Sequence, residues 1–129
     1  MSEHMTGASD RFDPDMLKSI VGDDRSVIEE LLGLYASSCA ESTRRIAEGL
    51  RNRDLAMLKS AAHRLKSSSF NVGALRLSEL ARKLEHHVEE GESLPGPTTS
   101  ELAGLCLSEA AAALSWIESL CAGEAGGEA

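Results

Sequence analysis

Between Asp24 and Asn52 the side chains of Val27, Ile28, Leu31, Leu34, Tyr35, Cys39, Ser42, Ile46 and Leu50 recur at intervals of three and four. At about 100° per residue this spacing gathers them on one side of a helix, whereas a half-buried strand requires strict alternation. The same rule returns in three later stretches. Leu55, Leu58, Ala61, Ala62, Leu65 and Val72 form the second stripe, and Leu77, Leu80, Ala81, Leu84 and Val88 form the third. Leu102, Leu105, Cys106, Ala113, Trp116, Ile117 and Leu120 form the fourth. Four amphipathic helices follow, and none can bury its stripe alone, so they must pack on one another.

Local signals set the boundaries. Asp13 is placed to cap, and Pro14 to begin, a short leading helix that Gly22 ends. Asp24 and Asn52 bound the longest helix. Asp54 caps the next, which runs to about Asn71 before Gly73 permits a turn. The fourth spans about Leu75 to Glu90, and "EEGESLPGPTTS" breaks it with glycine and proline. Thr98 with Glu101 three residues on reads as a capping box for the fifth. The tail "AGEAGGEA" is expected to be disordered. Short connections between long helices favour antiparallel neighbours. The expected fold is all-α: an antiparallel four-helix bundle with a short additional N-terminal helix. At 129 residues, 42% of them hydrophobic and 3% aromatic, this is one domain with an aliphatic core.

Several function classes are disfavoured. Cys39, Cys106 and Cys121 are odd in number and lack CxxC spacing, so neither a disulfide framework nor a zinc site is indicated, and a cytoplasmic location is expected. Their expected role is that of small buried apolar groups. The opening "MSEHMTGASDRFD" has no basic region followed by an apolar one, and no unbroken run approaches the roughly 20 apolar residues of a membrane span. A formal net charge of −8 opposes nucleic-acid binding. No GxxxxGK followed by Ser or Thr, and no GxGxxG opening a helix, offers a nucleotide loop. A bundle metal site of the Glu-x-x-His type is also absent, because Ser60, Lys83 and Leu84 stand three before His63, His86 and His87. His86 and His87 are expected on a solvated surface.

Against the acidic whole, the window from Lys59 to Lys83 holds Lys59, Arg64, Lys66, Arg76, Arg82 and Lys83 but only Glu79. A positive island suggests contact with something anionic. On a helix, Lys59, Lys66, Ser67 and Phe70 fall within about 60° of His63, opposite Leu58, Ala61, Leu65 and Val72. His63 is therefore expected to point outward. A cation one turn away, a small neighbour and an exposed apolar ring suit a phosphoryl-accepting imidazole that a partner protein must approach.

The stretch "AHRLKSSSFNVGALRLSELARKLE" resembles the motif of histidine-containing phosphotransfer domains, which runs His-x-Leu-Lys-Gly-small-small, then Gly and a Leu-rich helix ending in Leu-Glu. His63, Leu65, Lys66, Ser68, Ser69, Gly73, Leu77, Leu80, Leu84 and Glu85 match, and "FDPDMLKSIVGDD" resembles the family's lead-in helix. The departure is Ser67, where the family most often has glycine. The resemblance implies a phosphotransfer bundle over residues 12–122, between a flexible N-terminus (1–11) and the tail (123–129). It implies that His63 accepts a phosphoryl group from a receiver-domain aspartate and passes it on, and that Lys66 helps hold it; Lys59, Arg64, Ser67 and Phe70, around His63 on the helix surface, are expected to meet the partner. The receivers belong to response regulators or hybrid sensor kinases. No cofactor is expected on this chain, magnesium being expected on the receiver. The chain would be a monomeric phosphocarrier without turnover of its own, contacting neither nucleic acid nor membrane. Two rivals are a helical adaptor in which His63 is incidental and the phosphoacceptor helix pair of a sensor kinase. The latter normally has an acidic residue after the histidine, where Arg64 stands here.

Overall fold

A computed structural model describes residues 11–89 and 95–127, and within them five helices: α1 Met16–Val21, α2 Arg25–Arg51, α3 Leu55–Val72, α4 Leu75–Glu89 and α5 Pro97–Gly127. The long helices close a ring, α2 on α3, α3 on α4, α4 on α5 and α5 back on α2, while α1 lies against α2 and α3. This is the expected antiparallel four-helix bundle with a short leading helix. The described residues contain no strand, only an isolated bridge between Phe12 and Ala74.

Capping chemistry fixes α2 and α3. The Asp24 side chain accepts from the backbone N–H of Ser26 and Val27, and that of Asp54 from Met57 at 3.0 Å, satisfying donors that a first helical turn leaves open. Gly73 ends α3 in the left-handed region, at φ +90°. A Cβ there would also lie 2.0 Å from the Asp13 carbonyl oxygen, so conformation and space both require glycine.

The leading helix departs from expectation. It begins at Met16, after Asp15, and Asp13 does not cap it. The Asp13 backbone bridges two elements: its N–H donates to the Gly73 carbonyl at 2.8 Å, and its carbonyl accepts from the Met16 N–H at 3.2 Å. Its side chain accepts from the Asp15 N–H, so Pro14 sits in the turn before the helix. Residues 11–13 form a strap over the α3–α4 turn. Arg11 grips Glu109 of α5 through two hydrogen bonds of 2.7 and 2.9 Å, and Phe12 stacks on Trp116 with ring centroids 4.6 Å apart. The flexible N-terminus expected over 1–11 therefore falls on residues 1–10, outside the described residues, and on Arg11, which is tied down.

The start of α5 also differs. Pro97 is its first residue and the Gly96 carbonyl accepts from the Ser100 N–H, so Thr98 lies inside the first turn rather than capping it. The helix continues to Gly127, past residue 122; residues 128–129 and the linker residues 90–94 lie outside the described residues. Within Pro97–Ala122, α5 has the length of a membrane span and contains an 18-residue stretch of mean hydropathy 1.3, although no unbroken apolar run reaches that length. Its buried Ala103, Cys106, Ala110, Ala113 and Ile117 pack into the bundle.

The core is aliphatic, built on Leu58, Leu65, Leu77, Leu84 and Ile46, all fully buried. Burial of each such side chain is worth roughly 1.5–3 kcal/mol relative to exposure. Where α2 and α3 meet, Gly49 admits Leu58, whose side chain would lie 2.9 Å from a Cβ. Val27 and Leu34 do not join this core. Leu34 is 61% exposed, and Leu32 is buried in its place.

Candidate functional site

The α3 stripe is divided as the helical spacing requires. Leu58, Ala61, Ala62, Leu65, Ser69 and Val72 face the core, while Lys59, His63, Arg64, Ser67 and Phe70 are exposed. The His63 side chain is 63% exposed and Phe70 is 52% exposed. Midway along a rigid helix, the imidazole is presented to solvent without any loop having to hold it.

The three consecutive serines have three environments. Ser67 is exposed, Ser68 is half-buried, and Ser69 is buried with its hydroxyl 2.9 Å from that of Tyr35 on α2. This bond satisfies two polar groups that would otherwise be orphaned in the α2–α3 seam. Burial pushes the Tyr35 hydroxyl up from its ordinary pKa, so it remains a neutral partner. Ser78 of α4 donates to the Lys66 carbonyl at 2.9 Å and fixes α4 beside the site.

That docking brings in Glu85. Its Oε2 lies 2.7 Å from Nδ1 of His63 and its Oε1 lies 2.8 Å from Nζ of Lys66. Partial burial pushes the Glu85 carboxyl up, but the hydrogen bonds and charges of Lys66 and His63 outweigh it and hold the group below the ordinary carboxylate range. An ionised carboxylate only accepts, so Nδ1 carries the proton and donates. In the neutral ring Nε2 is then the free nucleophile and points away from the carboxylate. Lys66 does not stand free beside the ring as the spacing alone implies; it is parked on the other oxygen of the same carboxylate.

Among the remaining site residues, Ser67 and Phe70 line an open groove with Lys66, Asn71 and Ser78 between α3 and α4. Arg64 turns to the other side, towards Arg45 and Glu41 of α2. Lys59 is exposed one turn before His63. Elsewhere His87 is half-buried, against expectation, because the second of two adjacent helical histidines rotates towards the bundle. Cys39 and Cys106 are buried, the Cys106 thiol pushed up to about 12, while Cys121 is only half-buried. Glu85 entered the sequence reading as a motif match without a role. Two signals bear on it: its distance after His63 and its position at the edge of the third apolar stripe, directly after Leu84.

The Hpt domain family model matches residues 30–116. Among solved structures, the chain is similar to histidine-containing phosphotransfer protein B (HptB) from Pseudomonas aeruginosa, with a TM-score of 0.75 and 23% identity over 84% of this chain and 92% of that one. It is also similar to the HPT domain of an Hpt sensor hybrid histidine kinase from Shewanella, with a TM-score of 0.74 and 17% identity over 86% of this chain and 93% of that one. At these identities the two structures speak for the fold. No curated protein matches.

Proposed function

The chain belongs to the Hpt domain family, whose members carry phosphoryl groups on histidine in two-component signalling, and from that premise we propose that His63 is the phosphoacceptor of a relay between receiver domains. The observation that carries this is the pairing of an exposed imidazole with Glu85, which accepts from Nδ1–H, so holding the proton on that nitrogen and leaving Nε2 bare.

The step follows from that geometry. The Nε2 lone pair attacks the phosphorus of a receiver's aspartyl phosphate, the Nε2–P bond forms, and the P–O bond to the carboxyl group breaks with its electrons leaving on the carboxylate. The ring becomes cationic, and Glu85 stabilises that charge through the Nδ1 proton, as an orienting carboxylate does for a catalytic histidine. Lys66 releases Oε1 and turns to the incoming phosphoryl oxygens, so that its charge acts where negative charge gathers. Reversal of the same step returns the group to another receiver aspartate. The magnesium and the acceptor carboxylate belong to the receiver, so this chain acts as a carrier without independent turnover. Receivers of response regulators or hybrid kinases are the partners that family members take. On this reading they approach over Ser67 and Phe70.

Incubation with a phosphorylated receiver and magnesium tests the assignment. The protein should become labelled, the label should survive alkali and be lost in acid as a phosphoramidate is, and His63→Gln should abolish it with helicity intact. A protein that binds receivers without acquiring label would be an adaptor instead.

A further inference from the structure

His63 stands between two grooves of different character. The one towards α4 carries Phe70; the one towards α2 is a cleft of about 260 Å³ lined by Glu41, Ser42 and Arg45 of α2 and Ser60, Ala61 and Arg64 of α3. Ser60 precedes the histidine by nearly one turn and Arg64 follows it directly, so this cleft lies along the α2 side of the same stretch of α3. Buried Ser42 and Ala61 close its floor, and no large apolar side chain lines it. Its occupant is therefore polar.

The charges decide the sign. Arg44 is held between Glu41 and Glu48 at 2.6 and 3.1 Å. Arg45 and Arg64 make no ion pair among the described residues, yet both lie near enough to support Arg44 in holding the Glu41 carboxyl below its ordinary range. Of the side chains that line the cleft, two are guanidinium groups, Arg45 and Arg64, and one is a carboxylate, Glu41, which already pairs with Arg44, so the cleft is positive in a chain of net charge −8. An apolar partner seated here would strip water from two arginines and give nothing in return. Paired carboxylates match the planar guanidinium fork and repay that desolvation.

Resting on the phosphotransfer assignment of His63, we infer that the Arg45–Arg64 cleft is the charged half of the docking site, receiving acidic side chains that a receiver presents beside its phosphorylated aspartate. The rest of the protein carries a net negative charge that disfavours the same partner, so the cleft orients the encounter and raises the rate at which the aspartyl phosphate reaches Nε2.

The test uses Arg45→Glu and the double variant Arg45→Glu/Arg64→Glu with a phosphorylated receiver that labels the wild-type chain, and in parallel with phosphoramidate, a small donor that needs no docking surface. The second-order rate of transfer from the receiver should fall about tenfold or more at low salt, and the deficit should shrink as ionic strength rises from about 0.05 to about 0.5 M. Labelling of His63 by phosphoramidate should persist in both variants. Receiver transfer unchanged by the reversals overturns the inference and leaves the role of His63 intact. Loss of phosphoramidate labelling along with receiver transfer, at unchanged helicity, also overturns it, because the arginines would then act on the histidine itself. A wild-type chain labelled by neither donor overturns the phosphotransfer assignment, and this inference with it.

Discussion

His63 and Glu85, 22 positions apart on neighbouring helices, meet at 2.7 Å through Nδ1. The carboxylate that fixes the ring also carries the lysine. Replacing it with an amide removes the charge and allows either ring nitrogen to hold the proton. Glu85→Gln should slow transfer at least roughly tenfold, in the manner of carboxylates that orient a catalytic imidazole. The nitrogen shifts of His63 measured by NMR should show one tautomer in the wild type and a mixture in the variant. A single unchanged tautomer would remove Glu85 from the mechanism.

The same residue predicts a pH dependence. The Glu85 carboxyl lies below its ordinary range in the folded protein, so the stability it contributes is complete above the ordinary glutamate value and is lost as pH falls through the depressed one. The difference in melting temperature between wild type and Glu85→Gln should shrink as pH falls below about 5 and vanish in stronger acid. A difference that grew as pH fell below about 5 would contradict the sign.

Lys66→Ala should leave receiver affinity nearly intact while reducing the rate of transfer at saturating receiver, because its charge matters most when phosphoryl oxygens crowd towards the ring. Single-turnover transfer measured over a range of receiver concentrations separates the two effects. A change in affinity alone would make Lys66 a docking residue.

Phe70 is 52% exposed and lines the groove beside Lys66 and Ser67. Truncating an aromatic anchor at an interface commonly costs about 2 kcal/mol, so Phe70→Ala should raise the dissociation constant of the receiver roughly thirtyfold. Because half of the ring already faces water, thermal unfolding should scarcely move. The opposite pattern, a lowered melting temperature with affinity unchanged, would make Phe70 peripheral core.

Gly73→Ala should destabilise the fold by on the order of 2–3 kcal/mol and lower the melting temperature by roughly 10 °C, through the left-handed backbone and the displaced Asp13 carbonyl. Calorimetry on the purified variant provides the check.

What the sequence revealed was what local chemistry decides. Asp24, Asp54 and Gly73 act within a few residues of themselves, and they bound the helices as expected. The outward turn of His63 and Phe70 follows from helical spacing on α3 alone. Spacing failed at Val27 and Leu34, since a three-and-four pattern in so long a helix admits more apolar residues than the neighbours can cover. It could not place Asp13, whose partner is Gly73, or Arg11, whose partner is 98 positions away. The link between Lys66 and Glu85, and the cleft shared by Arg45 and Arg64, each depend on how two helices dock, which no single stripe encodes.

The stack of Phe12 on Trp116 gives the molecule an optical handle. Trp116 is the chain's only tryptophan, and its ring neighbour comes from the strap rather than from the long helices. Its emission therefore reports whether the strap is fastened, while far-ultraviolet dichroism reports the helices. A strap that detaches before the bundle melts would show as a fluorescence transition at lower temperature than the loss of ellipticity. Since the strap is bonded to the Gly73 carbonyl at the end of the histidine helix, the same fluorophore offers a label-free readout of any strain that receiver docking transmits along α3.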